Sequence, residues 1–345
     1  MDYQTGTIST SVQLLDAIRI FMTGHGWNSE RWEDIANNNK MLSLSYTQGD
    51  IDYCAHFKTV TDERLNNNFG YHQVTGIFCT LSAGNSGDPI FDISKTFNEQ
   101  PNTISNTYGT TDACGLYRIS NTTTYYFIKS LTCIFIIIEP EPGIFYHLGI
   151  GNASLENSDS TNNVFLTASF GGDDFITSES TSVDYVFGST NDRFIGIPFN
   201  DTKYYGQSFF YTGDIFDTND NTSISYNSGW LSFCLSNPRT GRIARSIFFG
   251  ENPKYPSTFL NVWNKCSPNT LAQITPFYPY QVFVDADNGF FRPYGYIMDL
   301  LYVNMTDYDP LQTVIFKGYK YVVFPAHSKN NKSGLHGYAI LYDNQ

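Results

Sequence analysis

Charged side chains are scarce in this chain, and basic ones are the scarcer kind. Lysine and arginine together number 20 against 33 aspartates and glutamates among 345 residues, which gives a formal net charge of -13. A chain of that sign repels a phosphate backbone unless its few basic residues gather in one place. Nucleic acid is therefore not an expected partner.

Long hydrophobic runs are also missing. The longest is the stretch 133–138, which is far shorter than the about 20 apolar residues that a membrane-spanning helix needs. The first ten residues contain neither a basic stretch nor an apolar core. We therefore expect no secretion signal and no membrane span, and a chain that is made and assembled in a cytoplasm.

Cysteines occur without the close spacing of metal or redox motifs. No Cys-x-x-Cys pair is present, and most of the cysteines fall inside apolar, strand-like runs. The pattern predicts buried free thiols and neither disulfides nor metal ligands. No cofactor is expected. The six residues concerned are Cys54, Cys79, Cys114, Cys133, Cys234 and Cys266.

Aromatic residues are abundant, with 25 tyrosines and 28 phenylalanines, and many loops are rich in asparagine and threonine. This mixture favours strands and turns over helices. Candidate strands lie at residues 41–47, 53–60, 75–81, 124–128, 131–138, 145–149, 164–170, 185–187, 230–235, 313–316, 319–324 and 338–342. We expect the apolar run 133–138 to be a central strand covered on both faces, which Pro140 and Pro142 end.

One segment has the periodicity of an amphipathic helix. An apolar stripe that includes Leu14, Leu15, Ile18 and Phe21 predicts a helix near residues 11–23. Thr10 and Gln13 resemble a capping box at its start, and Gly24 and Gly26 mark its end. A second short helix is predicted over residues 30–36.

Together these patterns predict a mainly β protein: an antiparallel, jelly-roll-like β-sandwich with an N-terminal amphipathic helix and a smaller C-terminal β domain. The predicted divisions are an N-terminal helical segment (1–38), a sandwich domain (39–188) and a second β-rich domain (189–345).

Several local motifs resemble functional sites, but each has a simpler structural interpretation. The string from Gly84 to Pro89 is similar to the loop that presents the nucleophilic Ser of chymotrypsin-type proteases, here Ser86, yet an ordinary turn explains it better. The loops 217–221 and 285–289 have alternating oxygen ligands but no bidentate glutamate, so solvated turns are favoured over a Ca²⁺ site.

The remaining motifs are weaker still. The pair His327 and His336 is a poor metal candidate, and no metal site is predicted. The basic cluster Arg239, Arg242 and Arg245 favours ordinary salt bridges over phosphate binding. The stretch 149–151 lacks the third glycine of a dinucleotide loop.

Several segments resemble the virion structural proteins of tailed bacteriophages, often described as tail proteins. The matching segments are Tyr3-Gln4-Thr5-Gly6-Thr7, the helix that ends in Gly26-Trp27, Leu42-Ser43-Leu44, residues 53–59, Thr61-Asp62, residues 77–81, 125–128, 135–137 and 146–149, and the closing strands 321–325 and 337–340. They cover about half of the chain. Residues 188–280 match no pattern of that family.

The resemblance implies a multi-copy particle component without catalysis, located in the virion at the head-tail neck (collar), on the tail or at the baseplate. Its implied partners are other virion proteins and further copies of the chain. If the helix does not pack on its own sandwich, Leu14, Leu15, Ile18 and Phe21 are the expected docking residues. The first alternative is a host-receptor module that binds glycans through Tyr185, Tyr226 and Trp230; the second is a hydrolase that uses Ser86.

Overall fold

The computed structural model describes residues 1–67, 70–103, 114–117, 119, 122–152, 154–155, 164–168, 208–211, 230–233, 244–246, 278–286, 290–305, 308–325 and 336–344. Within them lies one α-helix, α1 (Ser11–Gly24). The strands are β1 (Asp2–Ile8), β2 (Asn28–Ile35), β3 (Asn39–Gln48), β4 (Ile51–Asn67), β5 (Gly70–Asn85), β6 (Cys114–Tyr117), β7 (Thr123–Lys129), β8 (Cys133–Glu141), β9 (Ile144–Asn152), β10 (Ser154–Leu155), β11 (Val164–Ala168), β12 (Ser208–Tyr211), β13 (Trp230–Phe233), β14 (Ala244–Ser246), β15 (Tyr278–Ala286), β16 (Phe290–Asn304), β17 (Thr313–Phe316), β18 (Tyr319–Pro325) and β19 (His336–Asn344).

These strands form three antiparallel sheets. The central sheet has the order β1-β7-β8-β9-β11-β12-β13, and the helix-side sheet is the meander β2-β3-β4-β5-β6. The C-terminal sheet has the order β14-β15-β16-β19-β18-β17, with β10 paired to β16. The predicted mainly β, antiparallel fold is confirmed, and its packing is that of a β-sandwich with one further layer.

The central sheet is buried on both faces. One face shares a hydrophobic core with α1 and the helix-side sheet, through side chains such as Phe127 and Ile136. The other face meets the C-terminal sheet, where the Phe324 ring lies 5.7 Å from the rings of both Tyr126 and Phe145. All residues from Cys133 to Ile138 are at most 2% exposed. The predicted central strand with two covered faces is therefore confirmed.

The ends of α1 follow from its sequence. The Thr10 hydroxyl accepts a hydrogen bond from the Gln13 amide (3.1 Å), while the Gln13 side chain turns back to the Ser9 amide (2.8 Å). At the other end, Trp27 N donates to Met22 O and Gly26 adopts a φ of +89°. This is a Schellman ending, in which the left-handed position demands a residue without a Cβ atom.

Two local predictions are corrected. Residues 30–36 do not form a helix, because β2 pairs along β3 in this region and only Ala36–Asn38 make a short 3-10 turn. Pro140 does not end the central strand, since β8 continues to Glu141 through a shift of register opposite β9. Pro142 and Gly143 then form the turn.

The other predicted strands are confirmed where the structure describes them. Gly49 and Asp50 form the two-residue turn between β3 and β4, and Lys317 and Gly318 form the one between β17 and β18. The candidate strand 185–187 lies outside the described residues. The three-part division stays a prediction, but pairing crosses both of its boundaries: β1 joins β7, and β11 joins β12.

Within the described residues, α1 is too short and too polar to span a bilayer, and no other helix there qualifies.

Candidate functional site

The four predicted docking residues belong to the protein's own core. Leu14, Leu15 and Ile18 have no exposed surface, and Phe21 is 3% exposed. They pack in one cluster with the helix-side and central sheets. Docking on a neighbouring subunit is expected of them only if the helix does not pack on its own sandwich, and that condition is not met, because their apolar surface is already used within the chain.

The aromatic residues proposed for glycan binding are placed only in part. Trp230 opens β13 and pairs with Tyr211 of β12. Tyr185 and Tyr226 lie outside the described residues.

The protease-like string is a turn, as predicted. Asp88 N donates to Asn85 O (2.9 Å), and Ser86 N donates to Asp50 O of the adjacent hairpin (2.9 Å). Gly87 has a φ of +97°, and the Asp88 carboxylate accepts from Asn85 N at 2.8 Å. The glycines and the aspartate therefore serve the turn itself.

The other motifs fall largely outside the described part of the chain. Asp285 lies near the end of β15, Arg245 lies in β14 and His336 opens β19. The loop 217–221 and the residues Arg239, Arg242 and His327 are not described. Across the described residues, no three His, Cys, Asp or Glu side chains are grouped as a metal site would require.

Two of the remaining sequence features have a structural explanation. Cys54, Cys79 and Cys133 are buried free thiols, as predicted for them. Gly151 allows β9 to approach β8 closely, since a Cβ atom there would lie 2.5 Å from Thr132 O. The glycines in 149–151 thus need no nucleotide to explain them.

A buried polar row crosses the outer face of the helix-side sheet. The imidazole of His56 (β4) bonds the Ser43 hydroxyl (β3) through Nδ1 at 3.0 Å and the Ser82 hydroxyl (β5) through Nε2 at 2.9 Å. These three side chains are at most 1% exposed. We call them the Ser43–His56–Ser82 row.

Residues 89–102 cover this row, and we call them the covering loop. The Phe91 ring stacks over the His56 imidazole at 6.3 Å. Arg31 of β2, which is 4% exposed, donates to the carbonyl oxygens of Asp92 (3.1 Å), Ile93 and Lys95 (2.9 Å). The guanidinium therefore joins the edge of the sheet to the loop above it.

Burial sets the protonation of the groups beneath the loop. Desolvation, together with the smaller effect of the nearby Arg31 cation, lowers the pKa of His56 to about 3. Desolvation also raises the pKa of the Cys54 thiol well above its usual range. Both side chains are therefore neutral at neutral pH.

The chemistry of the row is that of a packed polar network. A serine hydroxyl within hydrogen-bond reach of an imidazole is the beginning of a nucleophile-base pair. Here, however, the second ring nitrogen bonds another hydroxyl, Ser43, in place of the carboxylate that orients such a base. With the covering loop closed, the row holds three strands in register.

Sequence reasoning did not find this row. Ser43 alternates with the buried Leu42 and Leu44, and such alternation looks the same whether the polar face meets water or a loop. The burial of Ser43 comes from a loop more than 40 residues further along the chain, for which the strand pattern holds no signal.

Two further buried polar contacts fasten the C-terminal sheet to the central one. The Asp299 carboxylate of β16 accepts from Ser130 Oγ (2.5 Å), Thr132 N (2.8 Å) and Thr132 Oγ1 (2.9 Å) in the turn between β7 and β8. The Tyr338 hydroxyl bonds the His147 imidazole. The two sheets are thus locked by specific contacts as well as by apolar packing.

No protein-family model matches the chain, and a comparison with curated proteins finds no match either.

Proposed function

We propose that this chain is a non-catalytic structural component of a tailed-bacteriophage virion, present in several copies at the head-tail neck (collar) or on the tail. One observation carries the proposal. The segments that resemble such proteins are scattered along the sequence, yet in the fold many of them meet in one block of paired and packed strands.

Strand pairing joins the first members of this block. Residues 3–7 of β1 pair with β7, so that Tyr3 lies opposite Ile128. β7 pairs with β8, and β8 pairs with β9, where Phe135 lies opposite Gly149. Four of the resembling stretches, 3–7, 125–128, 135–137 and 146–149, are therefore adjacent in a single sheet.

The closing strands complete the block from the other side. Phe324 of β18 packs against Tyr126, and Tyr338 of β19 bonds His147. A resemblance that falls on mutually packed strands supports a shared fold unit better than one spread over unconnected surfaces. The net charge of -13 suits contact with other proteins and not with the genome.

Location in the particle tests the proposal. Particles from a lysate in which this chain is made are purified, the chain is sought by mass spectrometry, and cryo-electron microscopy then places it. We expect density for the chain in a ring at the neck or along the tail. Density at the distal tips would favour the receptor-binding alternative, and absence from purified particles would overturn the proposal.

A further inference from the structure

The covering loop is organised by its own side chains. Asn102 Nδ2 donates to Pro89 O (3.2 Å), which brings the two ends of the loop together. Inside it, Gln100 Oε1 accepts from Asp92 N (2.9 Å), and Gln100 Nε2 donates to Asp92 O (2.9 Å) and Lys95 O (2.8 Å). A loop with closed ends and a packed interior tends to move as one cooperative unit.

Polar and aromatic contacts fasten the covering loop to the sheet below. The Arg31 guanidinium binds three of its carbonyl oxygens and also lies 5.2 Å from the centre of the Phe91 ring. Phe97 fits into a small apolar cluster with Phe78 and its neighbours. The Arg31 guanidinium thus makes three polar attachments to the loop, beside the hydrogen bond of His56 with the backbone of Ile90.

The face beneath the covering loop is unusually polar for buried sheet. Alongside the Ser43–His56–Ser82 row, Thr80, which pairs with His56 and therefore shares its face, is fully buried. Hydroxyl and imidazole groups regain hydrogen bonds to water when they are exposed, so uncovering them costs much less than opening an apolar core.

We infer that the covering loop is a lid that opens and closes as one unit over the Ser43–His56–Ser82 row, with Arg31 as its latch. The inference is independent of a role in the virion, because it concerns only the motion of this loop. Loss of the guanidinium takes one donor from each of three carbonyl oxygens in the closed state. Asp92 O and Lys95 O keep the Gln100 amide as a donor, whereas Ile93 O loses its bond to Arg31 and can bond water when the loop opens. The Arg31→Met substitution should therefore favour opening.

Hydrogen exchange on the full chain tests whether the loop moves as a unit. Amides of the covering loop should exchange together at low denaturant concentration, with a smaller dependence on denaturant than amides of β4 and β5 below. If the loop amides exchange only with those of β4 and β5, at the same denaturant dependence, the loop opens only when the whole fold unfolds and the inference fails.

Modification of imidazoles by diethyl pyrocarbonate, read by mass spectrometry, tests the latch. In Arg31→Met, His56 should react roughly tenfold faster or more, since hydrogen bonds from a charged donor are lost only in the closed state. His147, which is fully buried between the other two sheets, should keep its rate. If both histidines reacted faster to the same extent, the whole fold would have loosened, and the role of Arg31 as the latch would be overturned.

Two further variants keep the test decisive. Arg19→Met removes a surface arginine that pairs with Asp16 at 2.7 Å, and it should leave the His56 rate unchanged. Arg31→Lys retains the charge but cannot reach three carbonyl oxygens at once, so its rate should fall between those of wild type and Arg31→Met. An Arg31→Met protein with the wild-type His56 rate would also contradict the inference.

Discussion

The imidazole of His147 and the ring of Tyr338 meet edge to face at 4.6 Å between the central and C-terminal sheets, and neither side chain has exposed surface. The tyrosine hydroxyl bonds the imidazole. A polar contact at the centre of a layer boundary fixes one alignment of the two sheets, because any shift would leave both groups buried without that partner.

Tyr338→Phe should therefore lower the free energy of unfolding by about 1–3 kcal/mol, the usual cost of leaving a buried polar group without its hydrogen bond. Urea denaturation measures the change. Tyr319→Phe removes the hydroxyl of a residue that is 41% exposed and should change stability by less than about 0.5 kcal/mol. Equal effects in the two variants would show that the hydrogen bond adds nothing.

Asp299→Asn should be a stronger test of the same layer boundary. The carboxylate is 1% exposed and accepts three hydrogen bonds from Ser130 and Thr132. All three bonds end on Oδ2, and asparagine can offer these donors only a neutral oxygen in its place, so we expect a loss of about 2–3 kcal/mol in unfolding free energy. The matched control is Asp34→Asn, at a carboxylate 79% exposed and paired with Lys40, where the loss should stay below about 0.5 kcal/mol.

Much of the local structure was predictable because its causes are local. The stripe of α1, the turn at Gly49-Asp50 and the apolar run 133–138 each carry their signal within a few residues. Residues 30–36 misled the prediction because Trp32 and Ile35 are spaced as on a helix. In the fold, successive side chains alternate between the two faces of the sheet: Arg31 faces the covering loop, and Trp32 packs on the core of the opposite face.

The polar contacts between distant segments were not predictable from pattern. Asp299 and Thr132 are 167 residues apart, and the sequence around neither residue indicates that the two are in contact. The same holds for Arg31 and the carbonyl oxygens of the covering loop. A sequence does not show which backbone carbonyl oxygens will accept a hydrogen bond from a side chain. A buried arginine that binds such oxygens therefore cannot be distinguished, by sequence alone, from an exposed arginine.

The buried His56 makes stability depend on pH. Its pKa in the folded chain is about 3, below the ordinary value near 6.5. Between these values the unfolded chain binds a proton that the folded chain does not, so the stability contributed by neutral His56 is present above pH 6.5 and declines as pH falls. The slope approaches about 1.4 kcal/mol per pH unit.

His56→Gln should flatten this dependence, because glutamine can bond both serines and does not titrate. Unfolding free energies of both proteins from pH 5 to 8 measure the difference. Above pH 7.5 the two curves should run parallel, since His56 is neutral in the folded and unfolded chains alike. Parallel curves down to pH 5 would mean that the folded chain accommodates a charged His56.

Replacing each of the two glycines at the end of α1 with alanine should change the stability of the chain in opposite directions. Gly26 has a φ of +89°, so Gly26→Ala introduces strain of about 1 kcal/mol. Gly24 is helical, and a Cβ atom there would meet nothing within 4 Å. Gly24→Ala should therefore stabilise the chain by about 0.4–1 kcal/mol. Thermal and urea unfolding of the two variants provide the comparison, and losses in both would contradict the assignment of the left-handed position.

Substitutions in α1 can distinguish a residue that stabilises the core from one that docks on another protein. Leu15 has no exposed surface and lies among side chains of the helix-side and central sheets, so Leu15→Ala should cost about 2–5 kcal/mol of unfolding free energy. Ile20 on the same helix is 55% exposed, and Ile20→Ala should cost less than about 0.5 kcal/mol. If Leu15→Ala left stability unchanged and only weakened assembly with another protein, the helix would be a docking element after all, and its packing in the core would be wrong.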